Sequence, residues 1–415
     1  MEQQAAIGNN NDSADEAAHP GTHPPQRTRK PPMRFILTAT TLIGLLHAYI
    51  GARILPDLDL GLAGTSLGIG LLVLSTLLIP AGLLARIWSG RMQAHISTAL
   101  IWISLITMGF ASSLFVLTVI RDVLLLPAMA LLDYATVLSI QGHSAWAVLW
   151  IAMAFTLIGL FNARRAPTIV EVSIPLPDLP AALHGFRIVQ ISDVHVGPTI
   201  RRAFLERIVA KVNSLESNLV AITGDLVDGK VADLAGHTDV LRDLQSTHGT
   251  FFVTGNHEYY SGADAWVLEL RRLGIAVLQN EHVVLQHEGA SLLIAGVTDY
   301  SAHQFDESQR SNPQAALKGA AEIATRVLLA HQPRSAAAAE AAGFHLQLSG
   351  HTHGGQFFPW NFFVRLQQPY TAGLHKLNKL WIYTSRGTGY WGPPKRLGAP
   401  AEVTLLRLVS QQRAD

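Results

Sequence analysis

The chain has 415 residues, of which 49% are apolar and only 15% charged, a balance that suits membrane segments better than a single soluble globule. The net charge of +1 shows none of the basic excess expected for nucleic-acid binding, and the absence of cysteine excludes disulfides, zinc ribbons and thiol nucleophiles. Any bound metal must be held by His, Asp, Glu or Asn.

Residues 1–33 are polar, lack an apolar period and read as a disordered tail. The first apolar run comes too late for a signal peptide. A basic cluster, Arg27, Arg29, Lys30 and Arg34, marks the end of the tail.

Residues 34–165 form a predicted all-helical transmembrane region with about four helices. The apolar runs are Phe35–Leu55, Thr65–Leu84, Ser97–Ile120 and Ala145–Ala163. Each is long enough to cross a hydrocarbon layer of about 30 Å at about 1.5 Å per residue. Val123–Leu132 is also apolar, but it contains Pro127 and is too short to span alone, so it is expected at the interface or against the bundle. Arg86 and Arg91 follow the second run, and Arg164 and Arg165 the fourth. The opposite loops hold Arg53 and Arg121 beside Asp57, Asp59, Asp122 and Asp133. Basic residues favour the cytoplasmic side. The expected arrangement is a multi-pass protein of the bacterial inner membrane with both ends in the cytoplasm; a fifth span through Val123–Leu132 would reverse the C-terminal side.

Residues 166–415 differ in kind. Arg187–Ile191, Leu219–Ile222, Thr250–Val253, Ser291–Ala295, Arg326–Leu329 and Leu346–Leu348 read as buried strands. Helices are predicted at Arg201–Asn213, Ala263–Leu273, Ala315–Thr325 and Ser335–Ala342. The alternation implies an α/β fold.

Five of these strands run into polar motifs: Asp193-Val-His195, Gly224-Asp225-Leu-Val-Asp228, Gly255-Asn256-His257-Glu258, Ala330-His331 and Gly350-His351-Thr-His353-Gly-Gly. Strand ends in α/β sheets converge on one edge, where ligands bind. The donors are nitrogen and oxygen only, which suits Mn, Fe or Zn. They are too many for one catalytic ion with an open position, and two divalent ions about 3.5–4 Å apart account for them better.

In this order the motifs resemble the calcineurin-like metallophosphoesterase superfamily, over roughly Phe186 to Leu408. Ser349–Gln356 and the segment from Tyr383 through Arg386-Gly387 to Arg396 and Glu402 look like its bacterial YkuE/YaeI-type branch. The resemblance implies a four-layer sandwich of two mixed β-sheets flanked by helices. It implies Asp193, His195 and His353 on one metal, Asn256, His331 and His351 on the second, and Asp225 bridging both. His257 is implied as a general acid or charge stabiliser at the leaving oxygen, oriented by Asp228. The Ser/Thr protein phosphatases continue this motif with Arg-Gly, whereas Gly229-Lys230 stands here, which argues against a protein phosphatase. Asp228 occupies the position of the purple acid phosphatases' tyrosine, which argues against a coloured iron site.

Arg386 and Arg396 are candidate substrate-phosphate clamps. Trp360, Phe362 and Phe363 form an apolar patch suited to lipid, substrate acyl chains or the core. The leading expectation is a membrane-anchored phosphohydrolase cleaving phosphodiester or pyrophosphate bonds, with a lipid-linked substrate at the bilayer. The alternatives are a receptor or scaffold that only binds, a phosphodiesterase for a soluble substrate, and a transporter with an accessory domain.

Overall fold

The computed structural model describes residues 33–87 and 92–411. The expected disordered tail, with Arg27, Arg29 and Lys30, lies outside the described residues, as does Arg91.

Four helices come first: α1 (Met33–Ile54), α2 (Gly61–Ile87), α3 (Ala94–Leu131) and α4 (Tyr134–Arg164). Among the described residues these are the four helices long and apolar enough to cross a membrane. Two boundaries differ from expectation. Val123–Leu132 is neither a separate segment nor a fifth span, because α3 continues through Pro127 to Leu131. At 38 residues, α3 is about 57 Å long, far more than one hydrocarbon layer. α4 starts well before Ala145, because the Asp133 side chain caps its first turn by accepting from the Thr136 N–H.

Arg121 and Asp122, expected in a loop, lie inside α3. Arg121 is buried and pairs with Asp57, while Asp122 pairs with Arg53 at 2.8 Å. This ion cluster ties the α1–α2 turn to α3 and satisfies charges that hydrocarbon alone would not tolerate.

The rest of the chain runs β1 (Thr168–Leu176), β2 (Arg187–Ile191), α5 (Arg202–Asn213), β3 (Leu219–Ile222), α6 (Val231–Thr238), β4 (Thr250–Phe252), α7 (Asn256–Ser261), α8 (Ala263–Arg272), β5 (Ala276–Val277), β6 (Glu281–His287), β7 (Ala290–Gly296), β8 (Thr325–Leu329), α9 (Ala336–Ala341), β9 (Leu346–Ser349), α10 (Trp360–Phe363), β10 (Gly373–Leu377), β11 (Leu380–Thr384) and β12 (Glu402–Ser410). The helix expected at Ala315–Thr325 is a single 3-10 turn over Ala315–Leu317. Gly319, with φ of 78°, turns the chain away, and Thr325 opens β8.

Two six-stranded mixed sheets result, ordered β1-β12-β2-β3-β4-β5 and β10-β11-β9-β8-β7-β6. Their facing sides bury Ile188, Leu219, Ala221, Leu292, Ile294, Val327 and Leu348. α5 and α8 cover the outside of the first sheet: Leu205, Ile208, Val212, Trp266 and Leu270 pack on Val189, Ile191 and Ile222. α9 covers the second, with Ala336 and Ala339 against Leu328 and Ile382. The C-terminal sandwich is therefore the four-layer α/β arrangement that the resemblance implies.

Register places the chemistry. Ile191 pairs with Ile222, Ile222 with Phe252, and Leu329 with Leu348, all in parallel ladders. Five strands thus deliver their C-terminal loops to one edge, where the two sheets meet.

Candidate metal centre

Two groups of donor atoms converge at that edge. Asp193, His195 and His353 form one, and Asp225, His331 and His351 the other, with the atoms of each group within 4.8 Å of one another. Asp225 also groups with His195 and His257, so its carboxylate stands between the two sets. His195 Nε2 lies 3.0 Å from His353 Nε2, and His351 Nδ1 lies 3.2 Å from His331 Nε2. Two donors each about 2.1 Å from one ion at a right angle would stand about 3.0 Å apart, so both spacings fit a shared cation.

The backbone is bent to make this cluster. Asp193, His195, Asp225, His351 and His353 all adopt left-handed φ, between 50° and 70°. Residues other than glycine take up such conformations at a cost, and clusters of them mark functional sites. Two glycines allow the loops to close in. A Cβ on Gly350 would stand 2.1 Å from Asp193 Oδ2, and one on Gly255 would stand 2.2 Å from Asp225 Oδ1.

The donor chemistry also fits a metal. Burial, then His257, pushes His195 down to about 3; burial, then His331, does the same to His351. Burial and the Arg396 guanidinium hold His353 well below the usual histidine value. These imidazoles are neutral near pH 7, the form that ligates. Burial raises the Asp193 carboxyl to about 6. At Asp225 burial works in the same direction, but His331 and His257 outweigh it and hold the carboxyl well below its ordinary value. His331 is itself held well above the histidine value, because Asp225 at 3.2 Å outweighs its burial. The His331 Nδ1 faces the Thr223 carbonyl at 2.8 Å, which leaves Nε2 for the centre. His195 Nδ1 and Asn256 Oδ1 are buried with no hydrogen-bond partner among the described residues. Buried polar atoms are nearly always satisfied, so a cation beside Asn256 would account for its orphaned oxygen.

His257 stands over the Asp225 side of the cluster. Its backbone N–H donates to Asp225 Oδ1 at 2.8 Å, and its Nε2 lies 4.0 Å from Asp225 Oδ2. Its Nδ1 meets Asp228 Oδ1 at 3.0 Å. Burial opposes its charge, but Asp225 and Asp228 outweigh burial and raise it above the usual histidine value. Tyr260 and Trp391 meet the ring edge-on at 5.3 and 5.6 Å.

The two candidate clamp arginines are engaged with the protein itself. Arg386 pairs with Glu402 at 2.7 Å. Arg396 is 1% exposed and donates to the carbonyls of His353, Arg386, Gly389 and Ala399. That network braces the His353 loop and leaves Arg396 no face toward solvent.

Glu258 closes the Gly255-Asn256-His257-Glu258 motif. It is fully buried, and its carboxylate accepts from the N–H groups of Asp225, Leu226, Val227 and Gly255. It therefore clamps the Asp225 loop to the Asn256 loop. Gly255-x-x-Glu258 has capping-box spacing, which is the signal that points to it. Arg86 and Trp391 also reach the site, and nothing in the local sequence signals either.

Comparison with known proteins agrees with this geometry. The profile of the calcineurin-like phosphoesterase family matches residues 186–355. A metallophosphoesterase of Campylobacter jejuni is 35% identical over 75% of this chain and 83% of its own length. The transmembrane protein with metallophosphoesterase domain of Danio rerio is 37% identical over 62% of this chain, and the match spans 61% of that relative. YkuE of Bacillus subtilis is 29% identical over 56% of this chain and 82% of its own. By its donors, its two-sheet scaffold and these relatives, the chain belongs to the calcineurin-like metallophosphoesterase family.

Proposed function

We propose that the chain is a membrane-anchored, metal-dependent phosphohydrolase that cleaves phosphodiester or pyrophosphate bonds of a lipid-linked substrate. The observation that carries this reading is the pair of buried donor sets sharing Asp225, with the His257–Asp228 pair at their edge. Asp193, His195 and His353 would hold one divalent ion, Asn256, His331 and His351 a second, and Asp225 both. When bound, such ions supply an activated water and positive charge for the phosphoryl oxygens. His257 presents Nε2 toward the cluster and delivers a proton, or a charged hydrogen bond, to the departing oxygen. Asp228 holds the ring by Nδ1 and favours its protonated form.

The lipid-linked part of the reading rests on the rim. Trp360, Phe362, Phe363, Leu366 and Trp391 are exposed large apolar side chains, and Trp391 meets the His257 ring at 5.6 Å. The Trp360 indole N–H donates to Ser112 Oγ on α3 at 3.2 Å. Ser112 lies nineteen residues, about 28 Å, from the end of α3 at Leu131, close to one hydrocarbon thickness. A rim at that level brings the Trp391 side of His257 to the bilayer surface. Arg86, Arg164 and Arg165 lie at the catalytic end of the bundle and Asp57, Asp59 and Asp133 at the other, which supports a cytoplasmic catalytic domain.

The test uses the full chain in lipid nanodiscs. Its metal content is measured, and hydrolysis of bis(p-nitrophenyl) phosphate, p-nitrophenyl phosphate and a bilayer-borne lipid pyrophosphate is followed with and without chelator. Chelator-sensitive turnover of the lipid is the expected result. Turnover of soluble esters alone would favour the soluble-substrate alternative, and no turnover of any would favour a binding-only scaffold.

A further inference from the structure

The helical bundle reaches into the His257–Asp228 pair. Arg86, in the last turn of α2, donates from Nη1 to Asp228 Oδ2 at 3.1 Å, and its Nη2 lies 2.7 Å from Asp228 Oδ1. Nη2 also donates to the Asp228 backbone carbonyl. The same Oδ1 faces His257 Nδ1 at 3.0 Å. Arg86, Asp228 and His257 thus form one line running from a membrane helix to the edge of the metal centre.

An isolated surface ion pair is worth little, and the Arg86 side chain is 43% exposed. Its geometry sets this pair apart. The guanidinium engages both carboxylate oxygens and the main chain of one residue, which fixes direction as well as charge. The Asp228 backbone is already held, since its N–H donates to the Val196 carbonyl at 2.8 Å. What remains free is the side-chain rotamer, and that rotamer decides whether Oδ1 meets His257.

We propose that Arg86 is a positioning residue, supplied by membrane helix α2, that locks the Asp228 carboxylate onto His257 and so completes the proton-delivering pair. The proposal rests on the reading of His257 as the group at the leaving oxygen. It makes the bundle a working part of the site: a displacement of α2 relative to the sandwich would release Asp228 and slow the reaction without touching a metal donor.

The leaving group provides the discriminating readout. A nitrophenolate departs without a proton, whereas a phenolate or alkoxide needs one, so loss of proton delivery falls selectively on the poorer leaving groups. In nanodiscs, Arg86→Ala should retain the metal content of the parent chain. It should lower kcat on a phenyl or alkyl phosphodiester by roughly 10- to 100-fold, the range typical of losing an outer-shell orienting group, and lower it far less on bis(p-nitrophenyl) phosphate. Arg86→Lys, which keeps the charge but not the fork, should fall between, and added guanidinium should restore part of the Arg86→Ala rate. In a His257→Ala background, Arg86→Ala should cost nothing further, because residues acting as one unit are non-additive. Equal loss on all leaving groups, or full additivity with His257→Ala, would overturn the Arg86 assignment. A slow His257→Ala beside an Arg86→Ala variant at the parent rate would overturn it while sparing the His257 reading. A His257→Ala variant with undiminished turnover of the poor leaving groups would remove that reading itself, and the proposal with it.

Discussion

His195 and His353 face each other Nε2 to Nε2 across 3.0 Å, although they stand 158 residues apart in the chain. One nitrogen comes from the loop after β2 and the other from the loop after β9, one in each sheet. At that spacing two neutral imidazoles can share one N–H as a hydrogen bond, or, with both Nε2 lone pairs free, share one cation. Asp225 plays the same part for the whole centre, because its carboxylate belongs to the donor groups on both sides. On the proposed two-ion reading, Asp225→Asn should therefore lower the occupancy of both positions, measured as metal per chain after purification. Full stoichiometry together with an unchanged rate would rule out a bridging carboxylate.

His257 belongs to a different class. It touches Asp225 through its backbone N–H, and its Nδ1 is taken by Asp228. His257→Ala should keep the metal content and lower turnover of an alkyl phosphodiester by about 10² to 10⁴, the usual contribution of general acid help. Metal analysis beside the kinetics separates the outcomes: a variant that loses metal would make His257 a ligand instead.

How much of this was legible in the sequence follows from range. Ile191, Ile222 and Leu348 end buried apolar runs, and the polar motif after each is local, so strand and motif could be read together. The edge strands of the second sheet were not: β6 and β10 bury no residue fully and carry charged or polar ones, which leaves no apolar run longer than three residues to detect. Pro127 suggests a break, yet α3 runs four residues past it and gives up only the one bond that the missing N–H would make to the carbonyl four residues back. Arg86 and Asp228 are 142 residues apart, and only packing of the bundle on the sandwich joins them. Arg396 illustrates the converse: a Gly-rich context suggests phosphate binding, but its donors go to backbone carbonyls.

Glu258 should prove a structural weak point. Burial, then Asp225, pushes its carboxyl up to about 8, and the four backbone N–H groups converging on it pull the other way. Glutamine keeps the shape but turns an amide NH2 toward donors that need an acceptor. Each unsatisfied buried donor costs about 1–3 kcal/mol, so Glu258→Gln should lower the thermal midpoint and loosen metal binding together. A variant with unchanged midpoint and metal affinity would show that the clamp contributes nothing to holding the loops.

Apolar rim residues should matter only when a bilayer is present. Trp360, Phe362 and Phe363 are exposed and lie beyond the donor sets. Replacing Phe362 and Phe363 by serine should reduce turnover of a bilayer-borne substrate several-fold or more and leave bis(p-nitrophenyl) phosphate hydrolysis unchanged. Equal effects on both substrates would assign the patch to folding rather than to the membrane.

Lys395 offers a pH test of how the sandwich sits on the bundle. It is 2% exposed, and its ammonium meets the Gly109 carbonyl at 3.1 Å and Ser113 on α3. Burial lowers it to about 8 from the usual lysine value near 10.5. Below pH 8 the amine is charged in both the docked and the exposed states, and the desolvation cost weighs against docking in full. Between pH 8 and about 10.5 the docked amine is neutral while the exposed one still binds a proton, so docking strengthens as pH rises through that window. The thermal midpoint of the full chain in detergent should carry a component that rises from pH 8 toward 10. Lys395→Met, which cannot titrate and fills similar space, should remove that component. If the two proteins show the same pH dependence, the buried ammonium does not set the strength of the contact between α3 and the catalytic domain.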